Sequence, residues 1–79
     1  MKVRLKFFAS LRQLTGTPGT ELEVPEGTKT SELMEMVSEM YDGFNETIVL
    51  CAVNGEYVGE EFELKEGDAI AFFPPVSGG

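Results

Sequence analysis

Seventy-nine residues, 42% of them hydrophobic, make one domain with one modest core, neither a disordered chain nor two domains. Fourteen Asp and Glu against six Lys and Arg give a formal net charge of -8, which argues against nucleic acid and anionic membranes and reads first as solubility, or alternatively as steering toward a partner with a basic face. The single cysteine, Cys51, excludes an internal disulfide; no apolar run approaches a membrane span of about 20 residues, no signal peptide opens the chain, and the expected location is cytoplasmic.

The first segment, KVRLKFFA, alternates as a half-buried strand does. Val3, Leu5 and Phe7 share one face. Lys2, Arg4, Lys6 and Phe8 share the other, which leaves a large aromatic among charges. SLRQLTG predicts a turn or short helical segment closed by Gly16, and TPGT a turn. TELEV alternates again, with Leu22 and Val24 on one face, and returns as the second strand of a hairpin; PEGT closes it.

One good helix follows. Thr28 or Thr30 can cap it, and Glu32 and Glu35 suit the positive end of its dipole. Leu33, Val37 and Met40, with Met36 beside them, form its apolar stripe, and YDGFNE breaks the pattern. IVLCAV predicts a buried strand. Asn54-Gly55 predicts a tight hairpin turn, because a primed turn needs positive φ at both central positions. GEEFELKEGD is a loop with Phe62 and Leu64 as anchors. AIAFF is the last strand, with Ile70 and Phe72 on one face and Ala71 and Phe73 on the other, ended by Pro74 and Pro75.

The element order is β-β-α-β-β-β, a mixed sheet covered on one face by one main helix. That is the α+β pattern of the β-grasp, or ubiquitin-like, fold. Residues 1–73 form the domain and 74–79 an extended tail ending in Gly-Gly.

The usual catalytic inventory is nearly empty. There is no histidine, so Cys-His and Ser-His-Asp arrangements are impossible, and no thiolate or imidazole cluster exists to hold zinc. Cys51 sits in mid-strand, where core burial is the ordinary role. The tail remains. Pro74 and Pro75 favour an extended exit, and the stretch from Pro74 to Gly79 can reach about 20 Å. Gly78 and Gly79 lack side chains and can enter a narrow channel. A carboxylate is inert toward nucleophiles until activated; joined to AMP as an acyl-adenylate, it becomes an electrophile that a sulfur or amine nucleophile can attack.

Three stretches, KFFASLRQLTG (6–16), AVNGEYV (52–58) and LKEGDAIAFFPPVSGG (64–79), resemble the MoaD family, the small sulfur-carrier subunits of molybdopterin synthase. The resemblance runs the length of the chain and is weakest from Met36 to Val49. It implies no bound cofactor. A ubiquitin-activating-like, MoeB-like enzyme would adenylate Gly79 with ATP, and sulfur transfer would leave a C-terminal thiocarboxylate. The arm, Val76 and Ser77 giving reach and Gly78 the slim approach, would enter the large synthase subunit in a heterotetramer. There it would donate sulfur to cyclic pyranopterin monophosphate, building the dithiolene that holds molybdenum or tungsten. The resemblance also implies that Phe8 and Phe73, with Pro74 and Pro75 at the root of the arm, meet the partner, and that Arg12 makes a charged contact at the rim. Two related readings share the fold and the Gly-Gly end: a ubiquitin-like modifier of the archaeal type, joined to lysines through Gly79, and a thiamine-pathway sulfur carrier, against which the FFA start and FFPPVSGG exit argue.

Overall fold

The computed structural model describes residues 1–75; Val76, Ser77, Gly78 and Gly79, to which the sequence assigns the reach and the reacting carboxylate, lie outside the described residues. Alternation in the first segment produces β1 (Lys2–Phe7), whose Val3, Leu5 and Phe7 are buried while Lys2, Arg4 and Lys6 are exposed. A short helix, α1 (Ser10–Thr15), ends on left-handed Gly16. Strand β2 (Gly19–Glu23) then pairs antiparallel with β1, so the predicted hairpin is present with a helix in its connection. The main helix, α2 (Thr30–Met40), and a 3₁₀ turn (Phe44–Glu46) lead into β3 (Leu50–Val53), β4 (Glu56–Tyr57) and β5 (Ala69–Phe73). Among the described residues these strands form one sheet in the order β2-β1-β5-β3-β4, with β1 and β5 parallel and every other pair antiparallel. This is the predicted β-grasp arrangement.

The parallel pairing at the centre requires a long crossover, and α2 lies within it. Leu33 and Val37 are fully buried beneath the sheet, each contributing about 1.5–3 kcal/mol by leaving water. Aromatic rings fill one end of the core. Phe7 and Phe72, neighbours across the β1–β5 ladder, stack with centroids 5.7 Å apart. Phe44 meets Phe72 edge-on at 5.5 Å, and Tyr41 meets Phe7 edge-on at 5.5 Å.

Several local expectations are corrected. Neither threonine caps α2. Lys29 is the cap residue, and its N–H donates to Glu32 Oε1 at 2.9 Å. The Thr28 and Thr30 hydroxyls are buried and donate instead to the carbonyls of Pro25 and Gly59, both at 2.6 Å. The first helical N–H groups, of Thr30 and Ser31, donate to the carbonyls of Phe62 and Glu60, so the loop after β4 does the capping. Lys29 Nζ holds Glu61 at 2.8 Å across the same junction, which raises the lysine pKa through that hydrogen bond.

Met40 is exposed rather than part of the buried stripe, because α2 ends there and Tyr41 turns its ring to the core. Phe62 also stays exposed, 40% accessible; it anchors its loop through its backbone, and Leu64 alone supplies the buried side chain. The run IVLCAV is not buried throughout. Only Leu50–Val53 is strand; Ile48 is exposed, Leu50 is exposed because its face of the sheet has no covering layer, and Cys51, on the core side beside Phe72, is half-buried because it lines an open groove beside α2. Phe44, inside a stretch that looked like a simple break, is a core residue.

Asn54 and Gly55 adopt the predicted turn, with φ of 51° and 85°. The Asn54 amide also bridges to β5: its Oδ1 accepts from Ala69 N–H at 3.0 Å and its Nδ2 donates to Asp68 Oδ1 at 2.9 Å.

Phe7→Ala removes the ring that meets Tyr41, Phe44 and Phe72 together and should cost about 3–5 kcal/mol. Urea denaturation followed by circular dichroism measures it, and a loss below about 1 kcal/mol would show that the cluster is not the keystone of the core.

Candidate partner-binding face

The strand registers place the side chains of the uncovered face in rows. Lys6 lies beside Gly19 on one side and Ala71 on the other; Ala71 lies beside Ala52, and Ala52 beside Tyr57. In the next row, Phe73 lies beside Leu50. The β1–β5 register, extended one step past the Phe7–Phe72 pair, brings Phe8 level with Phe73, and Phe8 N–H donates to Phe72 O at 3.0 Å. Small residues thus floor the middle of this face, and large apolar ones stand at the end where β5 leaves the sheet.

Phe8 is 41% exposed and Phe73 half-buried. The Phe73 ring leans on Tyr57, edge-on with centroids 5.9 Å apart. Tyr57 is 77% exposed, so this pair is itself open to contact. Pro74 is half-buried and Pro75 exposed, so the arm begins beside Phe73. Leu50 and Tyr57 are members of the patch that the sequence did not single out. The register signal was present: a two-residue Asn-Gly turn pairs Val53 with Glu56 and Ala52 with Tyr57, which puts Tyr57 on the face of Ala52 and Leu50.

Phe8 is held outward by a strained turn. Leu11 N–H donates to Phe8 O at 3.1 Å, and between them Ala9 takes φ 53°, ψ -130°. Those are the angles of the first central position in a type II′ turn, where glycine is the ordinary residue. An alanine there carries about 1–3 kcal/mol of backbone strain.

Charge is segregated on the same side of the molecule. Arg12 is exposed on α1 and lines, with Arg4, Lys6, Phe8, Gly19 and Glu21, an open cleft of about 530 Å³ in which three cations face one carboxylate. Arg4 Nε stands 3.7 Å from Glu21 Oε2, both side chains well exposed, so this pair contributes at most about 1 kcal/mol. A second groove, of about 580 Å³, runs between α2 and β3 and is lined by Met34, Val49, Cys51, Tyr57 and Val58. Burial pushes the Cys51 thiol up from its ordinary value, which disfavours the nucleophilic thiolate. Among the described residues, no group of three or more His, Cys, Asp or Glu is placed to hold a metal ion, and no helix is long and apolar enough to cross a membrane. The described surface can therefore offer shape, apolar contact and charge to another protein.

The sequence model of the ThiS family matches residues 5–79. The molybdopterin synthase sulfur carrier subunit of Escherichia coli (strain K12) is 35% identical to this chain, covering 98% of it and 99% of its own length. In three dimensions, a Pyrococcus furiosus protein described as molybdopterin converting factor, subunit 1, matches with a TM-score of 0.92 at 40% identity over 96% of this chain and 99% of its own. The small archaeal modifier protein SAMP1 of Methanosarcina acetivorans matches with a TM-score of 0.77 at 28% identity, covering 99% and 96%. The likeness read from the FFA start, the NGEYV turn and the FFPPVSGG end thus extends to whole chains and to the fold.

Ala9→Gly should relieve the turn and raise stability by up to about 1 kcal/mol, less than the full strain because glycine also loosens the unfolded chain; a shift of the urea midpoint measures it. Cys51 should alkylate with iodoacetamide more slowly at neutral pH in the folded protein than in urea. Its rate should rise with pH through a midpoint above that of the unfolded thiol, since the raised pKa keeps it protonated to higher pH.

Proposed function

The chain belongs to the ThiS family, and from that premise we propose that it is the sulfur-carrying small subunit of a molybdopterin synthase, without catalytic activity alone. The observation that carries this reading is the end-to-end likeness to the Escherichia coli sulfur carrier subunit, 98% of one chain against 99% of the other. A subunit by name has a second subunit to bind, and the uncovered face of this chain suits one. Phe8, Leu50, Tyr57 and Phe73 give an apolar centre, small alanines allow close approach, and Arg12 lies at the rim.

The chemistry is that of the terminal carboxylate. A Gly79 oxygen attacks the α-phosphorus of ATP on a MoeB-like enzyme, pyrophosphate leaves, and the mixed anhydride with AMP results. A sulfur donor then displaces AMP, leaving a thiocarboxylate. Pro74 and Pro75, directly after β5, carry the arm away from the sheet beside Phe73, so docking of the patch fixes where the arm can reach. Inside the large subunit the thiocarboxylate sulfur bonds to a side-chain carbon of the cyclic pyranopterin and displaces its oxygen substituent, and water then cleaves the acyl–sulfur bond, leaving sulfur on the pterin and returning the Gly79 carboxylate. The adenylating and pterin-binding groups belong to the partners, consistent with a chain that has no histidine. Cytoplasmic location follows from the same reading.

The likeness to SAMP1 favours, as a second reading, a modifier that shares the activation step and passes Gly79 to a lysine amine instead. A thiamine-pathway carrier would share that step too. The Escherichia coli sulfur carrier subunit is more similar to this chain than SAMP1 is, at 35% against 28% identity, which favours the first reading.

Incubation with the cognate activating enzyme, ATP and a sulfur source should replace one terminal oxygen by sulfur, seen by intact-mass spectrometry. A variant lacking Gly79 should keep the native circular dichroism spectrum and gain no sulfur. An unchanged mass with an activating enzyme proven on another carrier would refute the reading. Lysine conjugates that form in its place would assign the chain to the modifiers.

A further inference from the structure

The outer rungs of the β1–β2 ladder carry a charge pattern with one member missing. Lys2 lies opposite Glu23 and Arg4 opposite Glu21, but Lys6 lies opposite Gly19. That rung cannot hold a carboxylate of its own on β2, since a Cβ on Gly19 would stand 2.6 Å from the Leu5 carbonyl oxygen. On its other side Lys6 meets Ala71, which has no charge either. Among the described residues, no carboxylate lies within ion-pair distance of Lys6 or Arg12. Both line the cleft of about 530 Å³ that opens beside Phe8, along with Arg4 and the Glu21 carboxylate that Arg4 already engages. Two exposed cations thus flank an open site in a chain of net charge -8.

We propose that this cleft receives a carboxylate side chain from the same protein partner that covers Phe8 and Phe73, an inference that rests on the sulfur-carrier reading above. The incoming Asp or Glu meets Lys6 as Glu21 meets Arg4 on the neighbouring rung; Glu23, opposite Lys2, lies instead 3.9 Å from the N-terminal amine. Three features select a tethered carboxylate over a free anion. The cleft is continuous with the apolar patch through Phe8, so a partner seated on one covers the other. The acidic body lowers the local concentration of free anions, whereas a carboxylate on a docked protein is brought by the contact itself. The positive site within a negative molecule also sets orientation: a partner that presents acid at the cleft is attracted there and repelled from α2, whose exposed face carries Glu32, Glu35 and Glu39.

The test is the kinetics of association with the cognate large synthase subunit over a range of NaCl concentrations, using the full chain, Lys6→Glu, Lys6→Gln and Phe73→Ala. Lys6 is exposed, and thermal unfolding of each variant checks that the fold is kept. Lys6→Glu should lower the association rate about tenfold at low salt and flatten its salt dependence, with Lys6→Gln intermediate. Phe73→Ala should instead mainly speed dissociation. Lys6→Glu with unchanged rate and salt dependence, while Phe73→Ala weakens binding, overturns the cleft and leaves the sulfur-carrier reading standing. If neither variant changes binding, the docking face is wrong and the cleft falls with it. If millimolar inorganic phosphate shifts the Lys6 and Gly19 amide resonances while Lys6→Glu leaves association unchanged, the cleft is a small-anion site and the proposal is overturned.

Discussion

The parallel pairing of β1 with β5 is the constraint from which the rest follows. It joins the two ends of the domain at the centre of the sheet, and it sets Phe7 on Phe72 inside while bringing Phe8 level with Phe73 outside. A parallel pair cannot be closed by a tight turn, so the intervening chain must cross over, and α2 fills the buried face as it does. Because side chains alternate, a slip of β5 by one residue against β1 would put Phe73 into the core and Phe72 into water, and Phe7 would lose its stacking partner. The stacked and edge-on contacts of Phe7, Phe44 and Phe72 hold the register that positions the candidate docking face.

That face combines two chemistries side by side. Toward β3 and β4 it is apolar and aromatic; toward β1 and β2 it is charged, with Lys2 and Arg4 opposite Glu23 and Glu21, and Lys6 and Arg12 standing without carboxylate partners among the described residues. The strained Ala9 stands at the junction, turning the chain out of β1 so that Phe8 stays exposed and α1 lifts Arg12 to the cleft. The same turn seats Leu11 of α1 in the core, so the strain is offset by packing within the domain while it leaves Phe8 facing outward.

Alternation in KVRLKF and AIAFF, the Asn-Gly turn and the stripe of α2 made the strands, the hairpin and the helix legible, because each is a local pattern whose period matches its structure. What failed was local inference about partners far along the chain. Thr28 and Thr30 are good capping residues by type, yet the loop after β4 supplies the capping carbonyls and leaves their hydroxyls other work. Phe44 and Phe62 have the same side chain in similarly irregular stretches, and one is buried while the other is exposed. Only the position of each loop over the aromatic cluster separates them. Leu50 and Tyr57 joined the site for a similar reason: their exposure follows from β3 and β4 lying on the uncovered side of the sheet.

By itself the sequence determined the α+β class, the order of elements, the faces of β1 and β5 and the absence of catalytic histidine, since periodicity and composition are carried residue by residue. It also brought into view an aromatic at each end of the domain, Phe8 and Phe73, that did not belong to a core. Only the tertiary structure decided that those aromatics share one end of one face with Leu50 and Tyr57, and that Lys6 stands opposite a glycine with no room for a side chain. Both outcomes depend on strand register: the first on the pairing of β1 with β5, more than sixty residues away in sequence, the second on a β1–β2 hairpin whose connection holds a helix; no local pattern carries either.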